Sequence, residues 1–294
     1  MFLIFLLEFF FAASNILVKK VSSFGFPFFM VGMRLVIAGG ILLIYQLITD
    51  RSAFKTLKNW RLIFFASLLN AYVTNAFGLW GFTYLPTGIA SFIYNLSPFV
   101  TAILSYVIFK DKLTQRQTIG LIGGILGFLP ALIFNGSFES NVSLGLFLVA
   151  FFAVFISMLA GSYGWITIKQ LVYDEKIPLV LVNGITLFLG GIFSFINSAI
   201  VEKGVTLDMQ MLMYVVALAI VSQVICYTFY SYLLKRYSTV FMSFASLIST
   251  AFTAVFAWFL FGEPITISFV ISMIIVCTSL YVFYLDEVPK SVEG

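Results

Sequence analysis

The chain has 294 residues, of which 62% are hydrophobic and only 10% are charged, with a net charge of +4 and a mean hydropathy of +1.10. Soluble domains are about 45–50% apolar and about 25% charged, and a chain of this size has no soluble fold that would bury so many apolar side chains. The composition excludes a soluble enzyme, a nucleic-acid-binding protein and a disordered chain, and it predicts an integral membrane protein.

Continuous apolar runs separated by short polar segments predict ten membrane-spanning helices. The runs do not alternate between apolar and polar residues, which favours helices over a β-barrel. In chain order, the predicted spans are residues 2–20, 27–48, 61–81, 86–109, 117–134, 142–168, 178–200, 210–233, 238–261 and 265–285.

Lysine and arginine residues are distributed unequally between the two sides of these spans. Twelve lie on the side of the N-terminus, whereas only Lys19, Lys20 and Lys203 lie on the opposite side, and Arg34 lies within a span. Because positive side chains accumulate in cytoplasmic loops, we expect both the N- and the C-terminus to be cytoplasmic.

The sequence resembles itself weakly when it is shifted by 152 residues, because the fourth predicted span then coincides with the ninth. The matched pairs include Thr87 with Thr239, Ser97 with Ser249, and Asp111 with Glu263. Five spans is an odd number, so the second copy has to enter the membrane upside down, which is typical of transporters. We therefore predict an all-α integral membrane protein of ten transmembrane helices in two inverted five-helix repeats, residues 1–136 and 137–294, which form one transport unit.

Several short motifs occur in a characteristic order along the whole chain. They are Ala13-Ser14-Asn15 followed by Lys20, Pro27 and Arg34 at the second span, WGFTYLPT at residues 80–87, Ser97-Pro98, FKDKL at residues 109–113, and FGEP at residues 261–264. In this order and spacing the chain resembles the EamA-type carriers of the drug/metabolite transporter superfamily. The resemblance implies a ten-helix carrier in the bacterial inner (plasma) membrane.

The resemblance implies a secondary active transporter that moves an amino acid or a nucleoside-like compound by alternating access. Uptake or exchange of a host metabolite such as S-adenosylmethionine is an alternative, since the richness in Phe, Ile, Tyr and Asn is typical of an AT-rich, host-dependent bacterium. A passive channel or a membrane scaffold is an alternative of another class. Glycines of the fifth span, from Gly120 to Gly127, favour close helix packing or a dimer contact, so a monomer and a weak homodimer both stay open.

The residue types argue against catalysis. The chain has no histidine, and Cys226 and Cys277 lie far apart in apolar runs without metal-ligand spacing. We expect no enzyme activity, no metal, no cofactor and no nucleic-acid partner, but a small-molecule substrate and the lipid bilayer.

Glu8 and Arg34 are charged residues within predicted spans, where an uncompensated charge is costly and indicates function. Glu8 is predicted to be a proton site or the partner of a cationic substrate; the alternative is that it snorkels to the cytoplasmic surface. For Arg34 the alternative is a buried ion pair or a head group that faces water. Asn15 shares a helical face with Glu8 by its spacing of seven, and the resemblance adds Lys20.

Polar and aromatic side chains on the other spans complete the predicted substrate site. Together they would line one central pocket, in which aromatic faces hold a cation or a ring. The alternative for each polar residue is a hydrogen bond across a helix interface. These candidates are Asn70, Asn75, Tyr94, Asn95, Tyr163, Trp165, Gln223, Tyr227 and Ser246.

Overall fold

The structure is a computed structural model that describes residues 2–22, 24–85, 90, 93–110, 112–135, 143–206, 208–261 and 265–286. The predicted boundary between the repeats at residue 136 lies outside the described residues, as do Asp111 and Glu263. All regular secondary structure in the described part of the chain is helical, and no β-strand occurs there.

The helices follow the apolar runs of the sequence, and short polar side chains begin several of them by accepting a backbone N–H of the first turn. These N-cap residues are Asn59, Ser143, Ser238 and Thr266. The helices are α1 (Phe2–Ser22), α2 (Pro27–Thr49), α3 (Trp60–Phe82), α4 (Ser97–Phe109), α5 (Gln115–Asn135), α6 (Leu144–Asp174), α7 (Leu179–Val201), α8 (Met209–Leu233), α9 (Thr239–Leu260) and α10 (Ile267–Leu285).

Seven helices within the described residues are long and apolar enough to cross a membrane, namely α2, α3, α6, α7, α8, α9 and α10. Two shorter apolar helical segments cover Phe2–Val18 and Ile93–Ile108. A span needs about 20 apolar residues, so the chain is a multi-pass helical membrane protein.

Two of the predicted spans are interrupted rather than continuous. A turn at Leu96 separates the helical residues 93–95 from α4, whose first turn holds Pro98. Within α9 the regular helix is interrupted at Ser246. The Oγ atoms of Ser246 and Ser249 each donate to the carbonyl three residues earlier, at 2.7 Å. Side-chain bonds of this kind compete with the regular helical ladder, which explains a break where the sequence has no proline.

Three helices contain π-helical segments within the described residues, and in these segments the backbone hydrogen bonds reach five residues back. They cover Ser67–Val73 in α3, Gln170–Asp174 in α6 and Ala219–Tyr227 in α8. π-Segments are rare and frequently lie at functional sites. The apolar pattern of the sequence gives no signal for them.

Glycines allow α2 and α7 to pack with their backbones in contact. A Cβ atom at Gly39 would lie 2.5 Å from the backbone nitrogen of Phe188, and one at Gly191 would lie 2.8 Å from that of Val36. These two contacts are reciprocal, because Gly39 and Gly191 are separated by 152 residues, and so are Val36 and Phe188. Only glycine is compatible with so close an approach of two helices.

The helix pair α5 and α10 has the same reciprocal arrangement. A Cβ atom at Gly123 would lie 2.7 Å from the Oγ of Ser279, and one at Gly127 would lie 2.8 Å from the Cγ2 of Ile275. Gly123 and Ile275, like Gly127 and Ser279, are again separated by 152 residues. At Gly123 and Gly127 the glycines of the fifth span therefore pack inside the protein, against α10.

A carboxylate connects the end of α7 to the start of α2. The two carboxylate oxygens of Glu202 accept hydrogen bonds from the backbone N–H groups of Phe28 and Phe29, both at 2.9 Å. The first N–H groups of a helix have no partner within the helix, and an acidic side chain also complements the positive end of the helix dipole. Glu202 thus links the C-terminal end of α7 to the first turn of α2.

Candidate functional site

Glu8 lies in the protein interior and not at a surface. Its side chain on α1 is 0% exposed, and neither carboxylate oxygen has a hydrogen-bond partner. It interacts electrostatically with Cys226 and Tyr230 on α8. A buried carboxylate without donors is costly, and no hydrogen bond from the described part of the chain compensates it.

Arg34 on α2 is also buried, at 4% exposure, and its partner is a neutral amide. Its Nη2 donates to the Oδ1 of Asn75 at 2.7 Å, and the Asn75 Nδ2 donates to the Tyr227 hydroxyl at 3.1 Å. The Nε of Arg34 has no partner, and neither oxygen of Glu8 reaches it. Glu8 and Arg34 therefore do not form the ion pair that was the alternative for Arg34.

An aromatic cluster lies between these two charges. The ring of Trp165 on α6 lies 4.1 Å from that of Tyr230 and 4.8 Å from that of Tyr227, centroid to centroid. Trp165 packs against apolar clusters contributed by both halves of the chain, which places it at the centre of the molecule. Because Tyr230 neighbours Glu8 and Tyr227 bonds to Asn75, contacts connect Glu8 through the aromatic cluster to Arg34.

Further polar side chains are buried around this cluster without satisfying their hydrogen-bonding groups. Both polar atoms of Gln223, which is 0% exposed, lack a partner, as does the Nδ2 of Asn70. The hydroxyls of Ser162 on α6 and Thr228 on α8 are unpartnered in the same way. Most buried polar side-chain atoms in native proteins have at least one partner, so this set indicates a site that a ligand or water fills.

Tyr94 belongs to a hydrogen-bond network that joins α3 and α6 to the segment before α4. Its hydroxyl lies 2.6 Å from the Oγ of Ser157, which donates to the carbonyl of Thr74 at 2.7 Å. The Tyr94 ring stacks on Phe82, and its hydroxyl is in electrostatic range of Arg34. The neighbouring Asn95 is buried.

The remaining predicted residues lie apart from this cluster. Asn15 is exposed and donates to the Thr253 hydroxyl of α9 at 3.2 Å, and Lys20 is exposed. Tyr163 is half-buried, and the hydroxyl of Ser246 donates to a carbonyl of its own helix. The structure thus brings together Glu8, Arg34, Asn75, Tyr94, Trp165 and Tyr227, with Asn70 and Gln223 adding unpartnered amides on α3 and α8.

Sequence reasoning missed Ser157 and Thr228. Serine and threonine in apolar helices ordinarily bond to their own backbone, so their presence alone gives no signal. Tyr230 was detectable, because it follows Gln223 and Tyr227 at helical spacing on one face of α8. Among the described residues no group of three or more Cys, Asp or Glu side chains converges as a metal site would require.

Taken together, a buried carboxylate, a buried guanidinium and an aromatic cluster surround groups that lack partners. Charged groups and flat aromatic faces are the side-chain types that bind small polar molecules in proteins. None of these groups is arranged as a nucleophile with an adjacent base.

Comparisons with known proteins identify the family of the chain. A S-adenosylmethionine/S-adenosylhomocysteine transporter of Chlamydia muridarum is 31% identical over 292 residues, covering 95% of this chain and 91% of the relative. A probable amino-acid metabolite efflux pump of Salmonella typhimurium is 24% identical over 229 residues, covering 73% of this chain and 75% of the relative. A solved crystal structure superposes with a TM-score of 0.80 at 14% identity, over 96% of both chains, which is a likeness of fold alone. The model of the EamA-like transporter family matches residues 1–133 and 144–285, and the chain is a member of this family of membrane transporters.

Proposed function

We propose that the protein is a secondary active transporter that carries a small organic metabolite through the membrane by alternating access. The observation that carries the proposal is the set of buried polar groups without partners around Trp165, above all Glu8 and Gln223, which are both 0% exposed. In a finished structural core such groups would be satisfied, whereas in a carrier the substrate satisfies them during each transport cycle. The predicted substrate-binding residues Asn15 and Lys20 are exposed and are not part of this cluster.

Alternating access in this proposal depends on ten spans arranged as two inverted five-helix repeats. Two observations support that architecture. The family model matches two segments of similar length, residues 1–133 and 144–285. In addition, the contacts of α2 with α7 and of α5 with α10 are reciprocal under the shift of 152 residues, as expected for helices related by a two-fold axis in the membrane plane.

The same axis explains a contact in the site itself. Asn75 and Tyr227 are separated by 152 residues, and the two side chains bond to each other at 3.1 Å. Residues on a two-fold axis contact their own counterparts, so the bond lies where the two repeats meet. In the proposed carrier the substrate site is therefore at the centre of the two repeats, where rocking of either half changes access from one side to the other.

We propose S-adenosylmethionine and S-adenosylhomocysteine as the substrates. The support is the 31% identity to a transporter of these compounds over nearly the full length of both chains. The site chemistry agrees, because an aromatic cluster suits a nucleobase and a carboxylate suits a sulfonium or ammonium group. An amino acid is the second candidate, since the Salmonella typhimurium relative is named as an amino-acid metabolite efflux pump.

The proposed orientation places both termini in the cytoplasm of a bacterial cell, with the protein in the inner membrane. The support is the distribution of positive residues, twelve of which lie on the side of the termini.

Counterflow in proteoliposomes tests the function directly. Vesicles loaded with an excess of unlabelled S-adenosylmethionine or S-adenosylhomocysteine should accumulate labelled S-adenosylmethionine transiently, with saturation, and amino acids should compete weakly. The transient overshoot depends on a site that faces the two sides alternately, and a channel does not produce it. Linear, non-saturating flux would refute alternating access, and saturable flux of amino acids alone would refute the proposed substrates.

A further inference from the structure

We infer that the central site is built for a dipolar substrate, with Glu8 receiving its cationic group and Arg34 receiving its carboxylate. This inference rests on the proposed transport function and specifies the charges that the cargo carries.

The first step is that the two buried charges are separate. Glu8 lies beside Tyr230 on α8, whereas Arg34 is held by Asn75 on α3, and the Trp165 ring lies between these two groups of contacts. Neither oxygen of Glu8 has a hydrogen-bond partner, so the carboxylate and the guanidinium do not neutralise each other. The site therefore has two separate poles, a carboxyl group and a guanidinium.

The second step is that each pole lacks its complement. Transfer of a charge out of water costs several kcal/mol unless an opposite charge or several hydrogen bonds compensate it. Glu8 has no donor, and Arg34 has one neutral acceptor on Nη2 and none on Nε. A substrate with only one charge would leave the opposite pole uncompensated, whereas a dipolar substrate satisfies both.

The third step is that the neighbours of each pole match its role. The ring of Tyr230 lies 4.1 Å from that of Trp165 at an interplanar angle of 32°, and the negative faces of aromatic rings favour a cation near the Glu8 carboxylate. At the other pole the Asn75 Oδ1 accepts a hydrogen bond from the Arg34 Nη2, and the Asn75 Nδ2 donates to the Ala71 carbonyl and the Tyr227 hydroxyl. Asn75 is a positioning residue, because these bonds hold the guanidinium with its Nε free for a carboxylate.

Calorimetric titration of the purified full-length protein with three related compounds tests the inference. S-Adenosylmethionine carries both charges, decarboxylated S-adenosylmethionine lacks the carboxylate, and 5′-methylthioadenosine lacks both the carboxylate and every cationic group. The variants are Glu8→Gln and Arg34→Gln, with Arg116→Gln as a control for loss of a charge outside the site, since Arg116 is exposed and pairs with Asp286.

The expected pattern is specific for each pole. Arg34→Gln should weaken the binding of S-adenosylmethionine about tenfold or more. It should leave the binding of the decarboxylated compound unchanged, because that compound has no carboxylate for Arg34 to bind. Glu8→Gln should weaken the binding of both cationic compounds by a similar factor. 5′-Methylthioadenosine should bind all proteins equally, which also shows that the variants are folded.

Several results would overturn the inference. One is an equal loss of affinity for all three compounds, and another is an Arg34→Gln effect that persists without the substrate carboxylate. A third is a Glu8→Gln protein that binds both cations normally but whose transport in proteoliposomes no longer responds to a pH gradient. The last result would make Glu8 a proton site.

Failure of the proposed substrates gives a different signature. If the wild-type protein binds none of the three nucleosides, the substrate assignment falls, and phenylalanine, phenethylamine and 3-phenylpropionate replace them as the dipolar parent and its two singly charged relatives. The inference then requires tighter binding of phenylalanine than of either relative. No preference for the dipolar member in either series overturns it.

Discussion

Adjacent glycines in α2 provide a sharp test of the close packing between α2 and α7. A Cβ atom at Gly39 would lie 2.5 Å from the Phe188 nitrogen and 2.8 Å from the Gly184 carbonyl oxygen, whereas one at Gly40 would meet nothing within 4 Å. Both obstacles at Gly39 belong to the backbone of α7, so no side chain can rotate away and the helix itself has to move. Overpacking of this kind costs about 1–3 kcal/mol.

The adjacent Gly40 serves as a control, because an alanine there changes helix propensity without changing the packing against α7. Gly39→Ala and Gly40→Ala gain the same helix propensity, about 1 kcal/mol, so the difference between the two variants isolates the packing cost. We expect Gly40→Ala to be as stable as the wild type or more stable, and Gly39→Ala to be less stable than Gly40→Ala by about 1–3 kcal/mol.

Reversible unfolding in mixed detergent micelles, followed by tryptophan fluorescence, measures this difference in the free energy of unfolding. Gly191→Ala supplies an independent replicate, because a Cβ atom there would lie 2.8 Å from the Val36 nitrogen. Equal stability of the Gly39 and Gly40 variants would show that α2 and α7 are not in backbone contact, and the reciprocal packing would have to be abandoned.

Two further substitutions test the link between α7 and α2 and the positioning of Arg34. Glu202→Ala removes a link between two helices and should lower the free energy of unfolding by about 1–2 kcal/mol. Asp50→Ala should have a smaller effect in the same unfolding assay, because the exposed Asp50 carboxylate bonds only locally, to Ser52 and Ala53, among the described residues. Asn75→Leu should raise the half-saturation concentration in counterflow by about tenfold, because Arg34 and Tyr227 lose their common partner. Asn15→Leu is the control, and it should leave the half-saturation concentration unchanged because Asn15 lies outside the cluster. An equal effect of the two asparagine variants would contradict the positioning role of Asn75.

The helical class was predictable because a bilayer leaves few alternatives. A charge in an apolar run is costly wherever the run lies, so Glu8 and Arg34 could be identified without any contact information. Their neighbours could not be, because helical spacing gives the face of a helix but not the helix that covers it. Asn15 illustrates this limit: it shares a sequence-predicted face with Glu8, yet it contacts Thr253 on α9, whereas Glu8 lies beside α8.

Local backbone features were beyond the reach of the sequence pattern for a different reason. The π-helical segments Ser67–Val73 and Ala219–Tyr227 contain the same apolar residues as regular helix, and tertiary packing selects between the two forms. The break at Ser246 depends on serine hydroxyls that bond to their own helix, a choice that the residue type alone does not fix.

The glycine match between α2 and α7 does not extend to the charged groups of the central site. Gly39 and Gly191 match under the shift of 152 residues, but the counterpart of Glu8 is Ala160 and that of Arg34 is Thr186. In the proposed architecture this difference has a mechanical consequence. A symmetric scaffold gives the protein two equivalent ways of opening, whereas a single carboxylate and a single guanidinium hold the substrate in one orientation throughout. The same two charges would then face each side of the membrane in turn, so recognition at entry and at release would depend on the same side chains.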